Sequence, residues 1–383
     1  MRIFQLLLVA VALMAGCRWT RSATPTATPT PVEVAPTPRL LLEPTPQPSP
    51  ASTSTAEPAP VRIVTPVPVA TPVPEGSSVE LASCCGLLAW VDADRLVVYD
   101  APAGGSPGTW LVQVPEGQRR FLSQRFGLPS PTGIIAIPEP ASQRTAVLDL
   151  AGNVIDVIPN GGTLTWPSPD GRKVAWLERL PVRTPSSSVN RVMRLWIADL
   201  ASGERRPLLE LQAASLTWLP DSRRLLLGAR TPQGERPGIW IIDVDSGQVD
   251  VVVEGTFLYN VRLSPDGRRI GYVRALSGEP ARDGMWILDL KSGETWRLPL
   301  ASGFRWAGSG ESFWVLVPGS GEQPDTLVLI DARSAVPLRK LELPGQVLNS
   351  VWEVSPDGRW VVFWRLQDQR VVAVELVESS LGA

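Results

Sequence analysis

Histidine is absent from all 383 residues. That removes Ser-His-Asp and Cys-His catalysis, imidazole general bases and the usual zinc and copper sites. Lysine is nearly missing: Lys173, Lys291 and Lys340 stand among 36 basic residues, and the rest are arginine. Genomic composition and heat adaptation both produce such a bias. Only three cysteines occur, Cys17, Cys84 and Cys85, and none has the Cys-x-x-Cys spacing of a dithiol redox motif. No apolar run is long enough to span a bilayer comfortably. No segment sustains helical apolar spacing between caps, and no glycine-rich loop is built to cradle phosphate. The net charge of −2 argues against bulk attraction to nucleic acid.

Three zones follow from what is present. Residues 1–16, "MRIFQLLLVAVALMAG", place one positive charge, Arg2, ahead of a short apolar stretch, the layout of a secretory signal. Small residues then lead into Cys17, and "LMAGC" resembles the lipobox of bacterial lipoproteins. The resemblance implies that Cys17 carries lipid and becomes the mature N-terminus; the alternative is an ordinary signal peptide with a chance cysteine. Residues 17–76 hold 15 of the 39 prolines, mostly as Thr-Pro and Val-Pro pairs. Each proline fixes φ and removes a backbone donor, so the stretch reads as a semi-rigid spacer of at most ~3.1 Å per residue. Residues 77–383 are left for one globular body. In it the adjacent Cys84 and Cys85 can form a strained vicinal disulfide, pair with another molecule or stay free, and a buried structural role is favoured over redox chemistry.

The globular part repeats itself. "WPSPDGRKVAW" (166–176), "RLSPDGRRIGYV" (262–273) and "WEVSPDGRWVVFW" (352–364) share a turn, with looser copies at 128–137, 218–228 and 306–316. A second set of apolar runs ends in an acid, at Asp100, Asp149, Asp199, Asp243, Asp289, Asp331 and Glu375, spaced by 42 to 50 residues. The runs are short, rich in Val, Ile, Leu and Trp, and bounded by turn formers, which is strand vocabulary. A period in the forties with about four strands per repeat predicts an all-β chain, a β-propeller of seven four-stranded blades. Six is the alternative count if the degenerate first repeat is incomplete. In Ser-Pro-Asp-Gly, proline presets φ, aspartate bonds local backbone and glycine accepts positive φ, so the tetrapeptide closes the hairpin between strands A and B. Trp166, Trp218, Trp306 and Trp352 then fall near the end of strand A, where they wedge between blades. The last repeat lacks its fourth strand, which 61–67 or 78–83 is placed to supply, closing the ring.

The motif "SPDG…VAW…LWIADLASGE" resembles the WD-like repeat of TolB-like propellers, also found in prolyl-oligopeptidase-type enzymes. It covers about 120–377 well and 84–117 weakly, and lacks the Gly-His and Trp-Asp pairs of the eukaryotic WD repeat. The resemblance implies a fold and leaves function open. Propeller lyases that bind metal through histidine are disfavoured by composition.

On a propeller the A–B and C–D turns share one face, and the B–C and D–A connections share the other. Here the former are stereotyped and the latter vary, and variable loops on a rigid ring are where binding residues usually sit. The B–C loops are rich in arginine, and Arg183, Arg236 and Arg282 are the candidate binding-face residues for an anionic group. The pairs Asp92/Asp94 and Asp243/Asp245 lack the later ligands of a calcium loop and read as turn formers, so no catalytic residue, metal or cofactor is expected. The expectation is a non-catalytic scaffold, lipid-anchored outside the cytoplasm at the cell surface or in the periplasm. Its partner would be an envelope or extracellular protein, or cell-wall glycan, with the membrane reached through the anchor. The alternative is a carbohydrate-active or other hydrolytic enzyme using carboxylates in the central funnel.

Overall fold

A computed structural model describes residues 71–72, 78–83, 87–102, 105–181, 192–298 and 303–376. Cys17, Cys84, Cys85 and Arg183 lie outside these residues, as do segment 1–16 and all of 17–76 except Thr71 and Pro72.

Short β-rich runs divided by Gly, Pro and Asp turns give strands and no α-helix among the described residues. After β1 (Thr71–Pro72) and β2 (Ser78–Ala82), blade 1 consists of β3 (Leu88–Trp90), β4 (Arg95–Asp100), β5 (Gly108–Gln113) and β6 (Arg119–Ser123). Blade 2 has β7 (Leu128–Pro129), β8 (Ile135–Glu139), β9 (Arg144–Leu148) and β10 (Val154–Ile158). Blade 3 has β11 (Thr165–Pro167), β12 (Lys173–Arg179), β13 (Met193–Asp199) and the first half of β14 (Arg205–Trp218). The second half of β14 opens blade 4, pairing with β15 (Arg224–Arg230), followed by β16 (Gly238–Asp243) and β17 (Val249–Glu254). Blade 5 is β18 (Leu258–Leu263), β19 (Arg269–Arg274), β20 (Gly284–Asp289) and β21 (Thr295–Leu298). Blade 6 is β22 (Phe304–Trp306), β23 (Ser312–Val317), β24 (Thr326–Asp331) and β25 (Pro337–Glu342). Blade 7 is β26 (Val347–Val354), β27 (Trp360–Arg365) and β28 (Arg370–Glu375).

The fourth strand of blade 7 is β2, antiparallel to β28 with Ser78 opposite Val374. Of the two segments expected to close the ring, 78–83 is the one used. Buried Asp100 secures the junction by accepting from the backbone N–H and hydroxyl of Ser83 and from Arg119. Within the stretch expected as spacer, Thr71 and Pro72 run parallel to Leu341 and Glu342 and add a fifth strand to blade 6. One reading of the first repeat needs correction. Residues 95–100 form strand B, not strand C, because the first repeat carries its third strand at Gly108–Gln113 without a terminal acid.

The core is not a single centre. Seven apolar clusters each span one seam between consecutive blades, the last joining blade 7 to blade 1 through Leu81, Val371, Leu96 and Val98. The inner strands touch in succession around the ring, with β26 against β3. Tryptophans act in these seams as expected. Trp218 donates its indole N–H to the carbonyl of Trp166 at 2.9 Å, and Trp306 to that of Arg262 at 3.1 Å, each reaching into the preceding blade. Gly271 is required at the seam of blades 5 and 6, since a Cβ there would stand 2.4 Å from Phe304 Cζ.

The A–B turn does more than its proline and glycine predict. In blades 3, 5 and 7 the hydroxyls of Ser168, Ser264 and Ser355 accept from the backbone N–H five residues on, at 2.9, 2.8 and 2.9 Å. The following glycines adopt φ of 70° to 78°. On the same face, Asp199 and Asp243 cap the C–D turns through the N–H and hydroxyl groups of Ser202 and Ser246. Asp289 likewise accepts from the backbone of Ser292. Arginines of the A–B turns reach across to the strand-C acids, Arg223 to Asp243, Arg268 to Asp289 and Arg359 to Glu375. The repeated acids are therefore structural.

Candidate functional site

The hydrogen-bond register aligns the seven inner strands on one another, because each ends with the first turn residue bonded back to strand B. Two residues before that turn stand Ala89, Leu128, Trp166, Thr217, Arg262, Arg305 and Glu353. All except Arg305 are at least partly exposed, and Ala89 and Trp166 also pack into the seams beside them, so the seven mark one level of the inner strands. Blades 5, 6 and 7 supply three charges at that level. Arg262 Nη2 lies 3.1 Å from one oxygen of Glu353, and Arg305 Nε lies 2.8 Å from the other. Arg262 belongs to blade 5 and Glu353 to blade 7, so the pair bridges past the inner strand of blade 6.

Arg305 is the anchor. Its side chain is 8% exposed, stacks over Trp352 at 4.7 Å, and donates to the carbonyls of Trp352 and Phe304. Burial pulls its guanidinium down to about 10, with the Glu353 carboxylate opposing that shift. It therefore stays protonated at neutral pH. Arg262 and Glu353 are 37% and 26% exposed, and the buried Arg305 holds Glu353 from behind. Such an arrangement presents a preorganised positive potential beside a carboxylate that can accept a proton.

Toward the other face, where the B–C and D–A connections lie, the inner ends of blades 3 to 5 surround a cleft of about 600 Å³. Phe257, Tyr259, Asn260, Gln212 and Arg230 line it. The inner strands of blades 4, 5 and 7 are each bulged in this half, between Ala213 and Ser215, Tyr259 and Arg262, and Val347 and Trp352. A bulge re-aims the side chains around it.

The arginines expected on the B–C face behave differently. Arg236 adopts φ of 48° and its carbonyl accepts from the indole of Trp240; Arg282 pairs with Glu279 at 2.8 Å, and its carbonyl accepts from Trp286. Neither lines the cleft. Asp92 bonds the N–H groups of Asp94 and Arg95, and Asp245 pairs with Lys173 and Arg223, so both Asp-x-Asp pairs are turn elements. Sequence reasoning missed Arg262, Arg305 and Glu353, although aligning the repeats on their turns would have placed all three in one column.

No family model matches the chain, and no curated protein is similar to it in sequence. Among solved structures it is similar to an oligogalacturonate lyase in complex with manganese, at 17% identity and TM-score 0.58, over 79% of this chain and 91% of the other. An oligogalacturonate lyase from Vibrio parahaemolyticus matches at 16% identity and TM-score 0.58, over 79% and 90%. TolB from Acinetobacter baumannii matches at 17% identity over 75% and 78%, with a TM-score of 0.40. The two lyases overturn the expectation of a non-catalytic scaffold that is not an enzyme, since both are named as enzymes. This chain spans nine-tenths of each lyase, so catalysis there needs no large domain beyond the matched body. At this identity the likeness establishes architecture, and with the seven closed seams it makes the chain a β-propeller.

Proposed function

We propose that the protein is a carbohydrate-active enzyme that draws an acidic sugar chain into its axial channel and cleaves it by β-elimination at Arg262, Glu353 and Arg305. The observation that carries this reading is one carboxylate held between two guanidinium groups by three consecutive inner strands. Glycoside hydrolysis by the usual route needs two carboxylates facing across the bond. Among the described residues the inner strands bring only Glu353 to this level. That weighs against the hydrolytic form of the expectation and favours elimination, which needs a single base.

In a uronic acid the hydrogen on the carbon beside the carboxylate becomes acidic once that carboxylate is neutralised. Arg262 takes the sugar carboxylate in its planar fork and in doing so releases one side of Glu353. Glu353 accepts the proton, and the electron pair left behind forms the carbon–carbon double bond. The bond from the ring to the leaving sugar oxygen breaks, and that oxygen is protonated by water. Arg305 stays charged throughout and stabilises the developing negative charge.

Manganese accompanies one of the similar lyases, but the residues here do not fit it. No three Cys, Asp or Glu side chains gather into a metal-holding group among the described residues, and there is no histidine. The oxygens of Glu353 already face two cations, which repel a third. The chemistry proposed here runs through side chains alone.

The direct test is ultraviolet absorbance of the conjugated unsaturated product during incubation with polygalacturonate. The parent should form it, and Glu353→Gln should slow it by at least ~100-fold. New reducing ends without absorbance, or no cleavage of any acidic glycan, would sink the reading. The lipobox-like run that ends at Cys17 supports an activity outside the cytoplasm, tethered through lipid, with glycan rather than nucleic acid as the proposed partner. Cys17→Ala should then move the protein from the membrane to the soluble fraction; an unchanged membrane fraction removes the anchor.

A further inference from the structure

The cleft between the inner ends of blades 3 to 5 has no part in the reaction described above, yet it is built with unusual backbone. Phe257 and Asn260 adopt φ of 54° and 50°, and the strand between them is bulged. Left-handed backbone at a bulky residue such as Phe257 is strained and persists only where surrounding structure holds it. The outcome is an aromatic pair turned to solvent: Phe257 is 60% exposed and Tyr259 50% exposed. Beside them the side-chain amide nitrogen of Asn260 is shielded from water and has no hydrogen-bond partner, a state that costs free energy. Arg230, opposite Gln212 across the blade 4 inner pair, makes no ion pair among the described residues. Gln212 is itself fixed by donating to the carbonyl of Pro232 at 2.9 Å.

An aromatic surface and an unpaired guanidinium around one cavity match the ring face and the carboxylate of an acidic sugar. The same strand leads to the reacting centre. Tyr259 and Asn260 stand two to three residues before Arg262 on β18, roughly 7–10 Å along the chain.

We propose that this cleft is a second uronic acid subsite, so that the substrate is a run of at least two consecutive uronic acids lying along β18. Arg230 holds the carboxylate of the sugar next to the one at Arg262. Phe257 and Tyr259 stack on its ring. The inference rests on the elimination reading, which supplies the first sugar.

Calorimetric titration of trigalacturonate into the Glu353→Gln protein separates binding from turnover. Arg230→Ala in that background should weaken trigalacturonate about tenfold and leave the fully methyl-esterified trimer unchanged. Phe257→Ala and Tyr259→Ala should each weaken both ligands about fivefold. All three positions are at the surface or the cleft wall, and Tyr259→Phe, which keeps the ring, should bind like its parent. If the three alanine variants bind trigalacturonate undiminished while the otherwise unaltered protein still forms the absorbing product, the subsite is wrong and the elimination reading survives. If no product forms but Arg230→Ala still weakens trigalacturonate, the cleft binds uronic acid and the reacting centre is wrong. Absence of any binding overturns both.

Discussion

At the inner-strand position two residues ahead of the A–B turn, blades 1 to 3 carry Ala89, Leu128 and Trp166, while blades 5 to 7 carry Arg262, Arg305 and Glu353. The two arcs share backbone register, turn chemistry and apolar seams. They differ in what faces the channel. Arg305 in the charged arc is 8% exposed and paired, an arrangement whose desolvation is costly and that a purely architectural position does not require. The uncharged arc shows that the ring closes without it. The repeat thus fixes where a side chain stands, and the residue type at that place is free to vary with function.

The largest effect that would break this comparison is in catalysis. Glu353→Gln should reduce activity by ~100-fold or more, and because it leaves the buried Arg305 cation without its counter-charge it should also lower the unfolding free energy, by about 2 kcal/mol. Activity that survives in this variant would return the charged arc to a structural role. Next comes stability. Arg305→Ala strips a buried cation from Glu353 and from the face of Trp352, and should cost about 3 kcal/mol in urea unfolding. Leu128→Ala, at the same place in the uncharged arc, should cost about 1–2 kcal/mol; equal losses would erase the distinction between the arcs. Ser168→Ala and Ser355→Ala, one turn from near each arc, should each cost about 1 kcal/mol, since both hydroxyls bond the same backbone donor. Unequal losses would mean the turns are not equivalent.

The smallest effect per residue is in acid. Backbone N–H groups of Ser202, Ser246 and Ser292 hold the carboxyls of Asp199, Asp243 and Asp289 below their ordinary value, Asp243 to about 2. A folded value below the unfolded one stabilises the ring above the usual carboxylate range. That contribution fades as pH falls from about 4 through about 2. Thermal scans across that interval should therefore show a falling midpoint in the parent and a shallower fall in Asp243→Asn. Parallel curves would remove the C–D caps as the cause.

Much of the fold was legible. The Ser-Pro-Asp-Gly turns and the strand-C acids announced blades 2 to 7, and the missing last strand pointed to a closing segment at 61–67 or 78–83, of which the structure uses the second. Blade 1 was misread because it has no Ser-Pro-Asp-Gly copy and its acid, Asp100, ends strand B and ties the closing strand. The candidate site was hardly legible. Arg236 and Arg282 were expected on a binding face; Arg282 pairs with Glu279, and neither residue lines the cleft. Phe257 and Tyr259 gave no signal in the sequence, because a bulge and a positive φ leave little trace in composition.

The sequence by itself determined the propeller. Short strands at a regular period, each closed by a turn whose proline, serine and glycine suit one backbone geometry, cannot bury their faces except by stacking in a ring. It also excluded imidazole chemistry outright. Only the tertiary structure decided that Arg262, Arg305 and Glu353, separated by 43 and 48 residues in the chain, meet at one level of the channel. The physical reason is closure: charges one repeat apart become neighbours only when the blades turn around a common axis, and no local preference encodes that contact.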